Sequence, residues 1–393
     1  MLISYRFNNF CSFNGENEFE LNAPGGKIKK RFPDNFVEKD NGYTLLKTAV
    51  IVGENAGGKS NFINSLKFIK TVFANNESVM AIHSYINSSS LKENIVPRQN
   101  FEIWIVADNG IVYNYELIID EKGIVAERLS NKKKKSGTLQ NIMYVERRSG
   151  KNNYEVELSS SAEELKKIME KNSSNMGLFI TKMALLGDED AVAVVEWINR
   201  KLIPESIDMD KGAEIKRLED DLRIINDSRY VDIFRMVDYS ICDIKVDDEK
   251  PYSKTIIIRK DENGNIFNRE LQMDSTGVRE FFVWAVQIYR VVYENKIVFA
   301  DEMDRVLNPI LSDRVIAFIN GKEHCGQFIF STHNVLHLNL KTYMKEQIYF
   351  VTKDKDTLTS EMYSLSDFPE VRYETTKIYE FYMKGILGGT AFA

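Results

Sequence analysis

Gly53-Glu54-Asn55-Ala56-Gly57-Gly58-Lys59-Ser60 has the spacing G-x-x-x-x-G-K-S and follows the apolar, β-branched run Thr48-Ala49-Val50-Ile51-Val52. Residue types in that order bind phosphate. Glycines let successive backbone N–H groups turn inward, and a helix starting near Lys59 aims its positive dipole end at the same anion. Gly53, Glu54, Asn55, Ala56, Gly57, Gly58, Lys59, Ser60 and Asn61 are the predicted cradle, with Lys59 reaching the β- and γ-oxygens and Ser60 holding Mg2+. A glycine-rich turn that matches by chance is the alternative. Strand, loop and helix all fall where phosphate binding needs them, because Phe62, Ile63, Leu66 and Ile69 recur at helical spacing after the loop.

Three more groups lie far downstream. The apolar run Ile297-Val298-Phe299-Ala300 ends in Asp301-Glu302. Placed on a strand next to the phosphate loop, Asp301 is a metal carboxylate and Glu302 a base that orients and deprotonates water, although such acids also end ordinary strands. A second run, Phe328-Ile329-Phe330-Ser331-Thr332, delivers His333 at its C-terminal end. Ser275-Thr276-Gly277 precedes the apolar helix Phe281 to Val292, where Ser275 as N-cap leaves backbone N–H groups to meet an anion. An ordinary cap explains Ser275 equally well in isolation.

The elements that position these groups are legible in outline. Residues 2 to 21 read as strand, turn, strand, and 23 to 42 as a polar connecting loop. Alternation over Phe101 to Val106, Ile111 to Ile119 and Ile124 to Leu129, with turns at Asp108-Asn109-Gly110 and Glu121-Lys122-Gly123, predicts an antiparallel meander. The run Lys132-Lys133-Lys134-Lys135 is read first as a basic loop tip and second as a phosphate-backbone contact. From Ala162 to Tyr239 helical spacing takes over, with Leu165, Ile168 and Met169, then Val192, Val195 and Ile198; no heptad is sustained long enough for a coiled-coil arm. Strands return at Thr255 to Arg259, before a turn at Asn263-Gly264-Asn265.

With 393 residues, 43% hydrophobic and 28% charged, the chain has the composition of a soluble globular protein. No apolar run nears the roughly 20 residues of a membrane span, and the first residues lack a signal-peptide core, so a cytoplasmic protein without membrane contact is expected. Cys11, Cys242 and Cys325 are too scattered for a zinc ribbon or a disulfide framework. A net charge of −6 argues against a surface covered in nucleic-acid contacts but leaves room for a local patch.

The order Gly53 to Ser60, Ser275-Thr276-Gly277, Asp301-Glu302, His333 resembles an ATP-binding cassette ATPase of the SMC, RecF and OLD kind. Phe7-Asn8-Asn9-Phe10-Cys11-Ser12-Phe13 resembles the opening of those heads, and Asp301 to Pro309 their Walker B and D-loop. The chain is most similar to the AbiL-type and RloA-like ATPases of phage defence. The resemblance implies an α/β fold, an ABC-type P-loop ATPase head over residues 1–129 and 265–393, carrying an antiparallel β lobe, with 130–264 as a mainly helical insertion. It implies ATP and Mg2+ as cofactors, and a homodimer or higher oligomer in which Lys59, Asp301, Glu302 and His333 of one chain meet Ser275 and Gly277 of another. It further implies a separate effector, nuclease or toxin. A RecF-type DNA-repair ATPase that binds nucleic acid is the alternative. Two departures are visible: Leu307-Asn308-Pro309 stands where many relatives have Leu-His-Pro, and only 60 residues follow His333, too few for the Toprim nuclease of OLD proteins.

Overall fold

The computed structural model describes residues 1–74, 98–120, 122–148, 154–159, 166–167, 177–205, 215–303, 308–374 and 377–387. Strands β1 (Leu2–Phe7) and β2 (Asn17–Glu20) pair antiparallel. The hairpin β3 (Phe36–Glu38) and β4 (Thr44–Leu46) leads into β5 (Thr48–Gly53), whose C-terminal end opens the phosphate loop and the helix Lys59–Ala74. Strands β6 (Gln99–Val106), β7 (Val112–Asp120), β8 (Gly123–Lys132), β9 (Gln140–Arg147) and β10 (Tyr154–Leu158) then pair in succession, giving the antiparallel sheet β10-β9-β8-β7-β6-β1-β2. Phe101, Ile103 and Ile105 are buried in the main core and alternate along β6 with the half-buried Glu102 and Trp104, and a smaller core of Met1, Ile3, Tyr43, Leu45, Val106 and Val112 also packs against this sheet.

A second sheet carries the chemistry. Strand β11 (Leu202–Glu205) continues directly from the helix Glu189–Lys201, and a small sheet of β12 (Ile241–Lys245), β13 (Ile256–Lys260) and β14 (Ile266–Glu270) precedes the helix Thr276–Glu294. Strands β15 (Ile297–Ala300), β16 (Gln327–Thr332), β17 (Ile348–Lys353) and β18 (Ser360–Ser364) complete the order β11-β15-β16-β5-β17-β18, parallel except for the antiparallel edge strand β18. Every residue of β5, β15 and β16 is buried, as expected where helices or a sheet cover both faces.

The two faces of this sheet build two cores. Ile51, Phe299, Ile329 and Val351 point toward the antiparallel sheet, and Val52, Ala300, Phe330 and Phe350 point toward the helix Thr276–Glu294. Phe62 pins the first core. Its ring lies 5.4–6.2 Å from those of Tyr5, Phe7, Phe19 and Phe299, so the phosphate-loop helix is wedged between both sheets by aromatic contacts.

Two expectations change. Asp301 does not sit on the strand beside the phosphate loop, because β16 lies between β15 and β5. Both runs are apolar and buried on two faces, so hydrophobic pattern alone does not order them. Residues 23–42 are more than a loop, since Lys27–Arg31 is helical and Phe36–Glu38 pairs with Thr44–Leu46. Within 130–264, β9 and β10 extend the antiparallel sheet through buried Met143, Val145 and Val156, and β11 joins the parallel sheet, while helices occupy ranges such as Glu189–Lys201 and Ser228–Phe234. Leu165, Ile168 and Met169 lie outside the described residues. Among the described residues no helix is long and apolar enough to cross a membrane.

One buried carboxyl fastens the helix Phe179–Leu185 to the antiparallel sheet. Glu127 on β8 has no exposure, and its two oxygens accept from the N–H groups of Phe179 and Ile180, each at 2.8 Å. Burial raises its pKa from 4.5 to about 7, against the opposing pull of those two N–H groups, Tyr115 and Lys182. The folded pKa lies above the unfolded one, so the associated stability is full below the unfolded value and is lost as pH rises through about 7. Wild type should therefore lose more stability than Glu127→Gln between about pH 5 and about pH 8. Equal slopes in urea denaturation would remove Glu127 as the source.

Candidate active site

The phosphate loop is shaped by what packs behind it. A Cβ at Gly53 would lie 2.2 Å from the carbonyl oxygen of Val351 on β17, and one at Gly58, where φ is +121°, would lie 2.4 Å from Ser360 Oγ. Ser360 on β18 sits 2.6 Å from the Gly57 carbonyl and 2.7 Å from Ser12 Oγ, while Asn61 Nδ2 donates to Ser12 Oγ at 2.8 Å. Glycine is thus required at 53 and 58 by close approach, and at 58 also by backbone conformation. Asn55, Ala56 and Ser60 face outward; Glu54 and Asn61 are half-buried, and Gly57, Gly58 and Lys59 are buried.

Lys59 is folded back into its own loop. Its Nζ donates to the carbonyls of Gly53 at 2.7 Å and Glu54 at 2.9 Å, and lies 3.0 Å from His333 Nδ1. His333 Nδ1 is also 3.2 Å from the Gly53 carbonyl. With a lone pair on Nδ1, His333 accepts from the ammonium, so the end of β16 closes over the end of β5.

Asp301 and Glu302 are joined to the same strand. Ser331 Oγ donates to Asp301 Oδ1 at 2.5 Å and accepts from the Glu302 backbone N–H at 2.8 Å. Glu302 adopts φ 51°, a left-handed conformation uncommon outside glycine. Ser331 was not singled out from sequence, where it reads as the tail of an apolar strand; Ser12 and Ser360 were missed likewise. An exposed hydroxyl at Ser60 and a carboxylate at Asp301 are oxygen donors of the kind Mg2+ takes alongside substrate phosphates.

Ser275 and Gly277 are elsewhere. Ser275 caps the 19-residue helix Thr276–Glu294 by accepting from Val278 N–H, and both Ser275 and Thr276 are exposed. Among the described residues no hydrogen bond ties Ser275 or Gly277 to the phosphate loop, and a Cβ at Gly277 would meet nothing within 4 Å. Asn308, at the position where many relatives have histidine, caps the helix Pro309–Asn320 by accepting from Leu311 N–H at 3.0 Å. At the basic tip, Lys132 lies 5.1 Å from the Trp104 ring centre and Lys135 5.2 Å from that of Tyr43. Those two ammoniums face ring π-systems of the chain itself. Gln99 is buried at the start of β6, donating to the Asn9 carbonyl at 2.6 Å, and Gln140 is exposed on β9.

Residues 49–339, which span the phosphate loop, the Ser275 turn, both acids and His333, match the family described as "AAA domain, putative AbiEii toxin, Type IV TA system". The chain belongs to this family of P-loop ATPases. No curated protein matches it by sequence. Among solved structures it is similar to an SMC head domain from Thermotoga maritima, at 15% identity over 92% of this chain and 98% of that one, with a TM-score of 0.44. It is also similar to an Smc head bound to the C-terminal winged-helix domain of ScpA, at 15% identity, 92% and 97% coverage and a TM-score of 0.40. A third is an Smc head with an extended coiled coil bound to the C-terminal domain of ScpA, derived from Pyrococcus furiosus, at 14% identity, 92% and 96% coverage and a TM-score of 0.40.

The packing behind the loop is directly testable. Gly53→Ala should destabilise the chain by about 1–3 kcal/mol or more, because β5 and β17 must part to admit the methyl group. Wild-type stability in chemical denaturation would mean that the two strands are not held this closely.

Proposed function

We propose that this chain binds and hydrolyses ATP with Mg2+, and that it does so as a dimer in which a second copy completes each site. The observation that carries this reading is the cluster at the C-terminal edge of the parallel sheet. There a glycine loop encloses the Lys59 ammonium, β16 brings His333 against it, and the same strand holds Asp301 and Glu302 through Ser331.

On binding, the β- and γ-phosphate oxygens would replace the Gly53 and Glu54 carbonyls as acceptors from Lys59. The N–H groups of Gly57 to Ser60 and the start of their helix add positive potential at the same place. Ser60 and Asp301 are the residues that would hold Mg2+, which would supply neutralising charge to the phosphate oxygens. Glu302 accepts the proton of the attacking water, and His333, which already senses both Lys59 and Gly53, orients toward the γ-phosphate.

The exposed Ser275-Thr276-Gly277 turn supports sharing of the site. Among the described residues no hydrogen bond ties it to its own loop, and the open space around Gly277 leaves room for close backbone approach by a ligand of another chain. We further propose a split head with the lobe extended through β10, and a cytoplasmic role in which the ATP cycle senses or regulates a separate effector, nuclease or toxin, in defence against phage. The toxin–antitoxin wording of the family description supports that context. The DNA-repair alternative draws less support, since Lys132 and Lys135 of the basic tip lie over rings of the chain itself.

Glu302→Gln should keep ATP affinity while turnover falls about 10²- to 10⁴-fold, the usual effect of removing a positioned base. Lys59→Ala should lose tight ATP binding altogether. Wild-type phosphate release from Glu302→Gln, or unchanged affinity in Lys59→Ala by nucleotide titration, would contradict these roles.

A further inference from the structure

We propose that Ser331 is a positioning residue that sets both acids of the site with one hydroxyl and couples them to the phosphate loop through β16. The proposal rests on the reading of Asp301 and Glu302 as the hydrolytic pair. Ser331 is fully buried, and among the described residues its hydroxyl hydrogen bonds go to these two residues alone.

A serine hydroxyl has one proton and two lone pairs. Its proton goes to Asp301 Oδ1 at 2.5 Å, within the range of a charge-assisted O–H···O⁻ bond. That bond fixes the carboxylate's rotation and leaves Oδ2 for a cation. A lone pair of the same oxygen takes the Glu302 N–H at 2.8 Å. This second bond secures the left-handed backbone of Glu302, at φ 51°, and hence the direction in which its side chain leaves the chain.

Ser331 is the last residue but one of β16, and His333 follows directly after the strand ends at Thr332. Ser331 reaches sideways to the end of β15, and His333 reaches the other way to Gly53 at the end of β5 and to Lys59 at the start of the helix Lys59–Ala74. A change at the loop when phosphate displaces the lysine's carbonyl partners therefore has a route of two hydrogen-bonded steps to both acids. A serine present only to fill space would be replaceable by alanine with little effect on cation dependence.

The test compares wild type, Ser331→Ala and Ser331→Thr in three measurements: thermal unfolding, the Mg2+ concentration that half-saturates binding of a non-hydrolysable ATP analogue, and ATP turnover. Ser331→Ala should raise the Mg2+ midpoint and lower turnover by about 10- to 100-fold, as loss of a residue that orients a metal ligand does, with Mg2+-free analogue affinity within about twofold. Ser331→Thr, which keeps the hydroxyl, should recover most of both. A wild-type Mg2+ midpoint in Ser331→Ala overturns the proposal, as does equal impairment of both variants in parallel with lost thermal stability. If wild type binds the analogue but hydrolyses no ATP, the catalytic reading fails and the Mg2+ midpoint still decides the role of Ser331. If wild type binds no analogue, both fall.

Discussion

A buried ammonium must be surrounded by acceptors, and at Lys59 that requirement organises the site. The lysine is 4% exposed, and the carbonyls of Gly53 and Glu54 with the imidazole of His333 take its protons. Acceptors at hydrogen-bond distance make burial of the lysine tolerable. On the proposed reading, an incoming polyphosphate would take the place of the two carbonyls as acceptor from Lys59.

Strand order follows from the same requirement. His333 reaches Lys59 because β16 pairs directly with β5, and that pairing pushes β15 one place outward. Asp301 and Glu302 then need an intermediary on β16, and Ser331 provides it. On the other side, β17 and β18 press so closely that the loop accepts only glycine at 53 and 58. Phe62 anchors the helix that follows, between the two sheets. The loop is therefore rigid at its back and open at Asn55, Ala56 and Ser60.

What could be read from sequence was local. The phosphate loop and its helix, the alternating strands Phe101 to Leu129, and Ser275 as a cap are each specified by residues within a few positions of one another. Non-local facts were hidden. Nothing in Ile297 to Ala300 or Gln327 to Thr332 says which lies next to β5, since both are uniformly apolar. Lys27–Arg31 has no apolar stripe to announce a helix, and β9 opens on the exposed pair Gln140-Asn141, which masks the buried positions Met143 and Val145. The roles of Ser12, Ser331 and Ser360 depend on partners 29 to 348 residues away.

On the proposed reading, the loop edge of one chain and the Ser275 turn of another form one hydrolytic site. Mixing Ser275→Arg with Lys59→Ala tests it most directly, since each variant alone should be inactive while a mixed dimer contains one site with both halves intact. Phosphate release from the mixture should return toward that of one working site per mixed dimer. A mixture that stays inactive, although mixed dimers are shown to form, would contradict a site shared between chains.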